Sequence, residues 1–280
     1  HMKEHVLKEI IKISDQEFLR IMELIRKTDE QIGKYLIGKN KLLFNVSLYS
    51  FYPLLFKELV DFTDKQNDII LHSRYYSGWL FILDSIFDEN ETTYRNTNLI
   101  ILSTVLSASD YFLYKLLSGF SKIEISVLET FRHKNDFSMY NEAKYFRNGS
   151  EYTDDEIESY CKDKYALAKS VVYLCFLCSK TPNWEFYDKI LLSHDYFAYG
   201  RQLVDEIQDY EEDYKKQKFN VYANLLLSEY GELCSENMIR ANLIKKAVNL
   251  YDQALLCIED LPDCGWKRFI QFNKKSLELI

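Results

Sequence analysis

The chain has 280 residues, enough for one large domain or two small ones with a sizeable core. Its net charge of -8 argues against nucleic acid as the main partner, because neutralising phosphates takes clustered Lys and Arg. With only 8 Gly and 3 Pro, turn signals are scarce and long uninterrupted helices are expected.

His1 and Met2 read as a cloning remnant, leaving 3–280 as a single domain. No apolar run approaches the roughly 20 residues of a membrane span, and no signal peptide opens the chain. A cytoplasmic protein without a membrane span is therefore expected. The cysteines form no disulfide-like framework. Cys175 and Cys178 make a CxxC inside the apolar run VVYLCFLC. A structural zinc wants four ligands and no second pair is nearby, so both read as buried free thiols.

From Lys3 to Leu36 the apolar positions, among them Val6, Ile10, Phe18, Ile21 and Ile25, repeat at three and four as in amphipathic helices. Asp15 reads as the N-cap of the second helix. Leu42 to Val60 is a further apolar helical region. Ile69 to Asn90 is the next helix: it buries Trp79 to Leu83 and then presents Asp84 and Asp88, four apart on one face. Ser121 to Ser150 is polar and irregular, a mixture of loop and helix. Tyr160 to Ser179 is helical and carries Lys164.

Gln202 to Asp213 reads QLVDEIQDYEED. Asp205, Asp209 and Asp213 recur every four residues, which places them on one face of a helix. Stacked carboxylates repel one another unless a cation sits between them. An acidic helix is ordinarily a solvated face, but Leu203, Val204 and Ile207 give this one an apolar side. Two acidic helix faces in an all-helical chain can converge across a cavity and hold divalent ions. Magnesium suits all-oxygen ligands and commonly bridges carboxylates to phosphates. Lys215, Lys216 and Lys218 follow in a turn. Leu225 to Leu261 adds two helices, and the tail from Pro262 opens with a turn and ends basic and apolar.

On these residues the chain resembles the class I isoprenoid synthases, specifically the trans-prenyl diphosphate synthases. Asp84-Ser85-Ile86-Phe87-Asp88 resembles their first motif, DDxxD, with Ser85 for the second Asp. Gln202 to Asp209 is similar to the second, FQxxDDxxD, with Glu206 for the second Asp. Ser107 to Phe112, and Thr153 to Glu156 followed by Lys164-Tyr165, resemble further segments in the same order. The resemblance implies an all-α, single-domain helical bundle around a deep central cavity. It implies about three magnesium ions held by Asp84, Asp88, Asp205, Asp209 and Asp213. Lys164, Arg95 and Lys218 would bind the departing diphosphate, with Gln202, Trp79 and Phe81 as further substrate-binding positions and Trp79 near the pocket floor. A homodimer is left open.

The departures matter as much. Chain-elongating members bind isopentenyl diphosphate through Gly-Lys-x-x-Arg and Arg-Arg-Gly-Lys-Pro segments. Here the corresponding stretches are Gly38-Lys39-Asn40-Lys41-Leu42 and 90–97, the latter with Arg95 alone. A second diphosphate needs several fixed cations. The expectation is therefore a terpene synthase acting on an allylic prenyl diphosphate of ten to twenty carbons. The alternatives are a trans-prenyl diphosphate synthase with an atypical second site, and an inactive or regulatory subunit of one.

Overall fold

A computed structural model describes residues 2–33, 47–88, 92–230 and 236–279. Regular structure among them is entirely helical. The helices are α1 (Glu4–Ile11), α2 (Asp15–Ile32), α3 (Ser47–Phe51), α4 (Gln66–Asp88), α5 (Thr92–Leu117) and α6 (Lys122–Lys144). They continue as α7 (Asp154–Lys164), α8 (Ala166–Leu177), α9 (Trp184–Lys215), α10 (Val221–Tyr230), α11 (Glu236–Leu256) and α12 (Gly265–Leu277). The residues group into two compact units, the first being 1–121, 174–183 and 262–266, the second 122–173, 184–261 and 267–280.

In the first unit α1 buries Leu7, Ile10 and Ile11, leaving the expected Val6 half-buried, and α2 buries Phe18, Ile21 and Ile25 as expected. The N-cap of α2 is Ser14, not Asp15: its hydroxyl accepts from the Glu17 N–H at 3.2 Å, and Asp15 is the first helical residue. Of the apolar region expected to be helical, 42–60, the described part 47–60 is not one helix. After α3, Tyr52–Phe56 tightens into a 3-10 turn with Pro53 in its first turn. All five residues are buried, and the fully buried Trp266 packs on Tyr52 and Phe56 with ring centroids 6.2 and 5.7 Å away. A Cβ on Gly265 would lie 2.7 Å from the Leu55 Cα, so only glycine admits this approach.

Behind α2 a charge is buried. Arg74 donates to Asp29 through Nε at 3.1 Å and NH2 at 2.6 Å, and the Tyr75 hydroxyl donates to the same carboxylate at 2.6 Å. The charges are satisfied by geometry rather than by water.

Helices α4 and α5 pack along each other. Within α5 the stretch Thr97–Leu117 has a mean hydropathy of 1.3 and is by length and composition apolar enough to cross a membrane, which corrects only the reading that no apolar run approaches that length. Uncharged Ser and Thr interrupt the apolar run without lowering its average much. A stripe of Ile101, Val105, Ala108, Phe112 and Leu116 is nonetheless buried, with the three-and-four spacing of a helix packed in protein.

In the second unit α9 is the spine: 32 residues, about 48 Å at 1.5 Å per residue. It packs along α11 and against α7 and α10. Gly200 opens its contact with α11, since a Cβ there would stand 3.0 Å from the Tyr251 ring. Helix α6 fills 122–144 of the stretch read as a mixture of loop and helix, and 145–150 is non-helical. Its buried stripe is Leu128, Phe131, Asn135 and Ser138, and two polar members hid the period. Thr153 and Glu156 form the capping box that starts α7. Tyr165 ends α7, so the helix expected over 160–179 is two helices.

Candidate active site

The acidic face of α9 is where the spacing placed it. Gln202, Leu203, Val204, Glu206 and Ile207 are buried, while Asp205 and Asp213 are half-buried and Asp209 is exposed. Two of these carboxyls are raised above the ordinary carboxylate range. For Asp209 the cause is burial, then the charges of Asp205, Asp213 and Glu212. For Asp213 it is burial again, which outweighs an Asn220 hydrogen bond and the charge of Lys164. Asp205 is braced by the Tyr165 hydroxyl at 2.7 Å and the Arg201 guanidinium at 2.7 Å. No described group donates a hydrogen bond to Asp209.

Lys164 reaches this face. Its ammonium donates to Glu142 and to the Tyr160 hydroxyl, each within about 3.2 Å, and its charge acts on Asp213 and Glu206. The main chain of Lys218 is fixed at the foot of α9, where its N–H donates to the Asp213 carbonyl at 2.8 Å. Its carbonyl accepts from the Asn148 side chain at 2.6 Å.

Glu206, aligned with the second Asp of the motif, faces inward. One position along from Asp205 is a turn of about 100°, enough to leave the shared face. It is buried, accepts from the Gln202 amide, and accepts from the Val221 N–H at 2.7 Å, the first residue of α10. Gln202 is thus committed to Glu206. Burial pushes the Glu206 carboxyl up to about 7, against the charge of Lys164 and the Val221 and Gln202 donors. In the unfolded chain it titrates near its ordinary 4.5. The folded state therefore holds the extra proton between these values, and stability falls as pH rises from about 4.5 to 7, then levels off. Glu206→Gln should remove this dependence. Without divalent cation, the wild-type melting temperature should drop relative to the variant between pH 5 and 8, and parallel curves would contradict it.

In the first unit Asp84 is exposed and Ser85 half-buried near the end of α4. Trp79 is half-buried and stacked on Tyr76, with centroids 5.9 Å apart. Phe81 meets the Tyr49 ring edge-on at 5.4 Å. The side chains of Asp88 and Arg95, and the whole stretch 38–42, lie outside the described residues. The free thiols Cys175 and Cys178 belong to no metal-binding group of described residues.

The donor set of α9 fits a hard divalent cation. It offers only oxygens, and Asp209 and Asp213 are raised in part by like charges that a cation would offset. Among the described residues no three acidic, imidazole or thiol side chains converge on one point. Magnesium does not require that, since it takes one or two carboxylates and keeps water and phosphate oxygens for the rest. Sequence reasoning missed Glu142, Asn148 and Asn220, and quoted Tyr165 only as the neighbour of Lys164. Of these only Asn220 left a signal, an Asn directly before the apolar run VYANLLL.

No family model matches the chain, and no curated protein matches it by sequence. Solved structures do. A polyprenyl synthase from Roseobacter denitrificans superposes with a TM-score of 0.73 at 11% identity, over 99% of this chain and all of its own. A polyprenyl synthase from Caulobacter crescentus CB15, complexed with calcium and isoprenyl diphosphate, gives 0.70 at 9% identity over 94% of each chain. A heptaprenyl diphosphate synthase from Staphylococcus aureus gives 0.67 at 12% identity, over 92% of this chain and 97% of its own. The fold of this chain is that of the class I isoprenoid synthases.

Proposed function

We propose that the protein is a divalent-metal-dependent enzyme that ionises an allylic prenyl diphosphate, in the manner of a trans-prenyl diphosphate synthase. The observation that carries this is the α9 face, Asp205, Asp209 and Asp213 with Lys164 beside them, on a scaffold whose solved relatives in fold are prenyl diphosphate synthases. Asp205, Asp209 and Asp213 would hold magnesium, a role that the resemblance in sequence also implies for Asp84 and Asp88. Bound magnesium would supply Lewis acidity to the departing diphosphate. Lys164 and Lys218 would add positive charge for the leaving group, and the resemblance in sequence implies the same of Arg95. Trp79, Phe81 and other aromatic rings can meet an allylic cation with their negative faces. The calcium and isoprenyl diphosphate bound to the Caulobacter protein support both the ion class and the ligand class.

A second reading, a terpene synthase, rests on the missing arginines at 38–42 and 90–97. Losing two or three charge-assisted contacts, at roughly 1.5–3 kcal/mol each, would weaken isopentenyl diphosphate binding by orders of magnitude. The two readings part in one assay. The protein is given magnesium and allylic diphosphates of ten, fifteen or twenty carbons, with and without isopentenyl diphosphate, and products are separated by gas chromatography. A longer prenyl diphosphate supports elongation. Inorganic diphosphate plus a hydrocarbon or alcohol, unaffected by isopentenyl diphosphate, supports the terpene synthase. No turnover on any substrate would refute both and direct attention to a catalytic partner.

A further inference from the structure

We propose that Asn220 is a positioning residue for the carboxylate of Asp213; this rests on the reading of α9 as a magnesium–diphosphate face. Asn220 is fully buried between α9 and α10. Its side chain makes three hydrogen bonds. Nδ2 donates to the Glu206 carbonyl at 2.8 Å and to Asp213 Oδ2 at 2.9 Å. Oδ1 accepts from the Ala223 N–H at 3.0 Å, which caps α10. Its own N–H donates to Asn148 Oδ1 at 3.0 Å, and Asn148 in turn holds the Lys218 carbonyl.

Capping alone does not explain the residue type. Serine or aspartate caps a helix as well as asparagine does, because a cap needs only an acceptor. Asparagine adds two donors in the same plane, and one of them holds Asp213. An aspartate at 220 would instead set a second carboxylate against Asp213. With Oδ2 tied to a buried amide, Asp213 has one orientation and keeps Oδ1 for a cation. Outer partners of this kind typically change metal affinity by 10–100-fold.

The test is calorimetric binding of magnesium and inorganic diphosphate to the whole protein. Asn220→Ser keeps the cap acceptor and removes both Nδ2 contacts, to Asp213 and to the Glu206 carbonyl. It should raise the dissociation constant by about 10–100-fold in a protein that still folds, with a ligand-free melting temperature lowered by the two lost hydrogen bonds. In an Asp213→Ala background the same substitution should add nothing, an outcome a merely structural role would not produce. Wild-type affinity in a folded Asn220→Ser protein overturns the proposal. If serine is not tolerated, Asn220→Asp carries the same test, and failure of both to fold would make Asn220 structural and end the proposal. Asp209→Asn separates the two levels: if it leaves binding unchanged, the magnesium reading itself fails. If it weakens binding while Asn220→Ser does not, only the positioning role fails.

Discussion

Asp209→Ala should lower diphosphate release by about a hundred- to thousandfold, the usual cost of removing one aligned electrostatic group from a reacting centre. Asp84→Ala should do likewise. Neither change should harm folding, because both carboxylates are exposed, and exposed substitutions stay within about 0.5 kcal/mol. For Asp209 the sign can even reverse, since its neighbours Asp205 and Asp213 repel it. Release is followed by a coupled phosphate assay across a magnesium titration, with circular dichroism as the control for fold. Full turnover with an unchanged magnesium dependence would remove α9 from the proposed chemistry.

Arg74→Met should be the most damaging single change to stability. It leaves Asp29 buried with Tyr75 as a hydrogen-bond partner but without its guanidinium. Breaking a buried pair from one side costs about 3–5 kcal/mol. That is a large fraction of the 5–15 kcal/mol that holds a typical domain together. The double variant Arg74→Met, Asp29→Leu should recover much of the loss, because an apolar pair of similar volume carries no stranded charge. Urea unfolding of the three proteins decides it. A single variant within about 1 kcal/mol of wild type would show that water reaches Asp29.

What the sequence made legible was whatever depends on regular spacing. Asp205, Asp209 and Asp213 share a face because four residues are just over one turn. The failures came where one residue had a second job. Asn135 and Ser138 are buried in α6, so a polar stretch concealed a helix. Pro53 shortened an apolar helix into a tighter turn. Glu206 was aligned by motif, yet its position along the helix already turned it from the face shared by Asp205, Asp209 and Asp213 toward α10. Asp15 yielded the cap to Ser14 by one position, which composition does not resolve.

The packing of Trp266 and Gly265 on the 52–56 turn also bears on how the protein is made. The two partners are more than two hundred positions apart in the chain, so the ribosome exposes Tyr52 and Phe56 long before their lid exists. At about 5–20 residues per second, the wait is roughly 10–40 s. During it the aromatic turn is open to chaperones and to other nascent chains. A message cut short before codon 262 would yield a polypeptide with most of its helices and an unsealed first unit, a natural substrate for quality-control proteases.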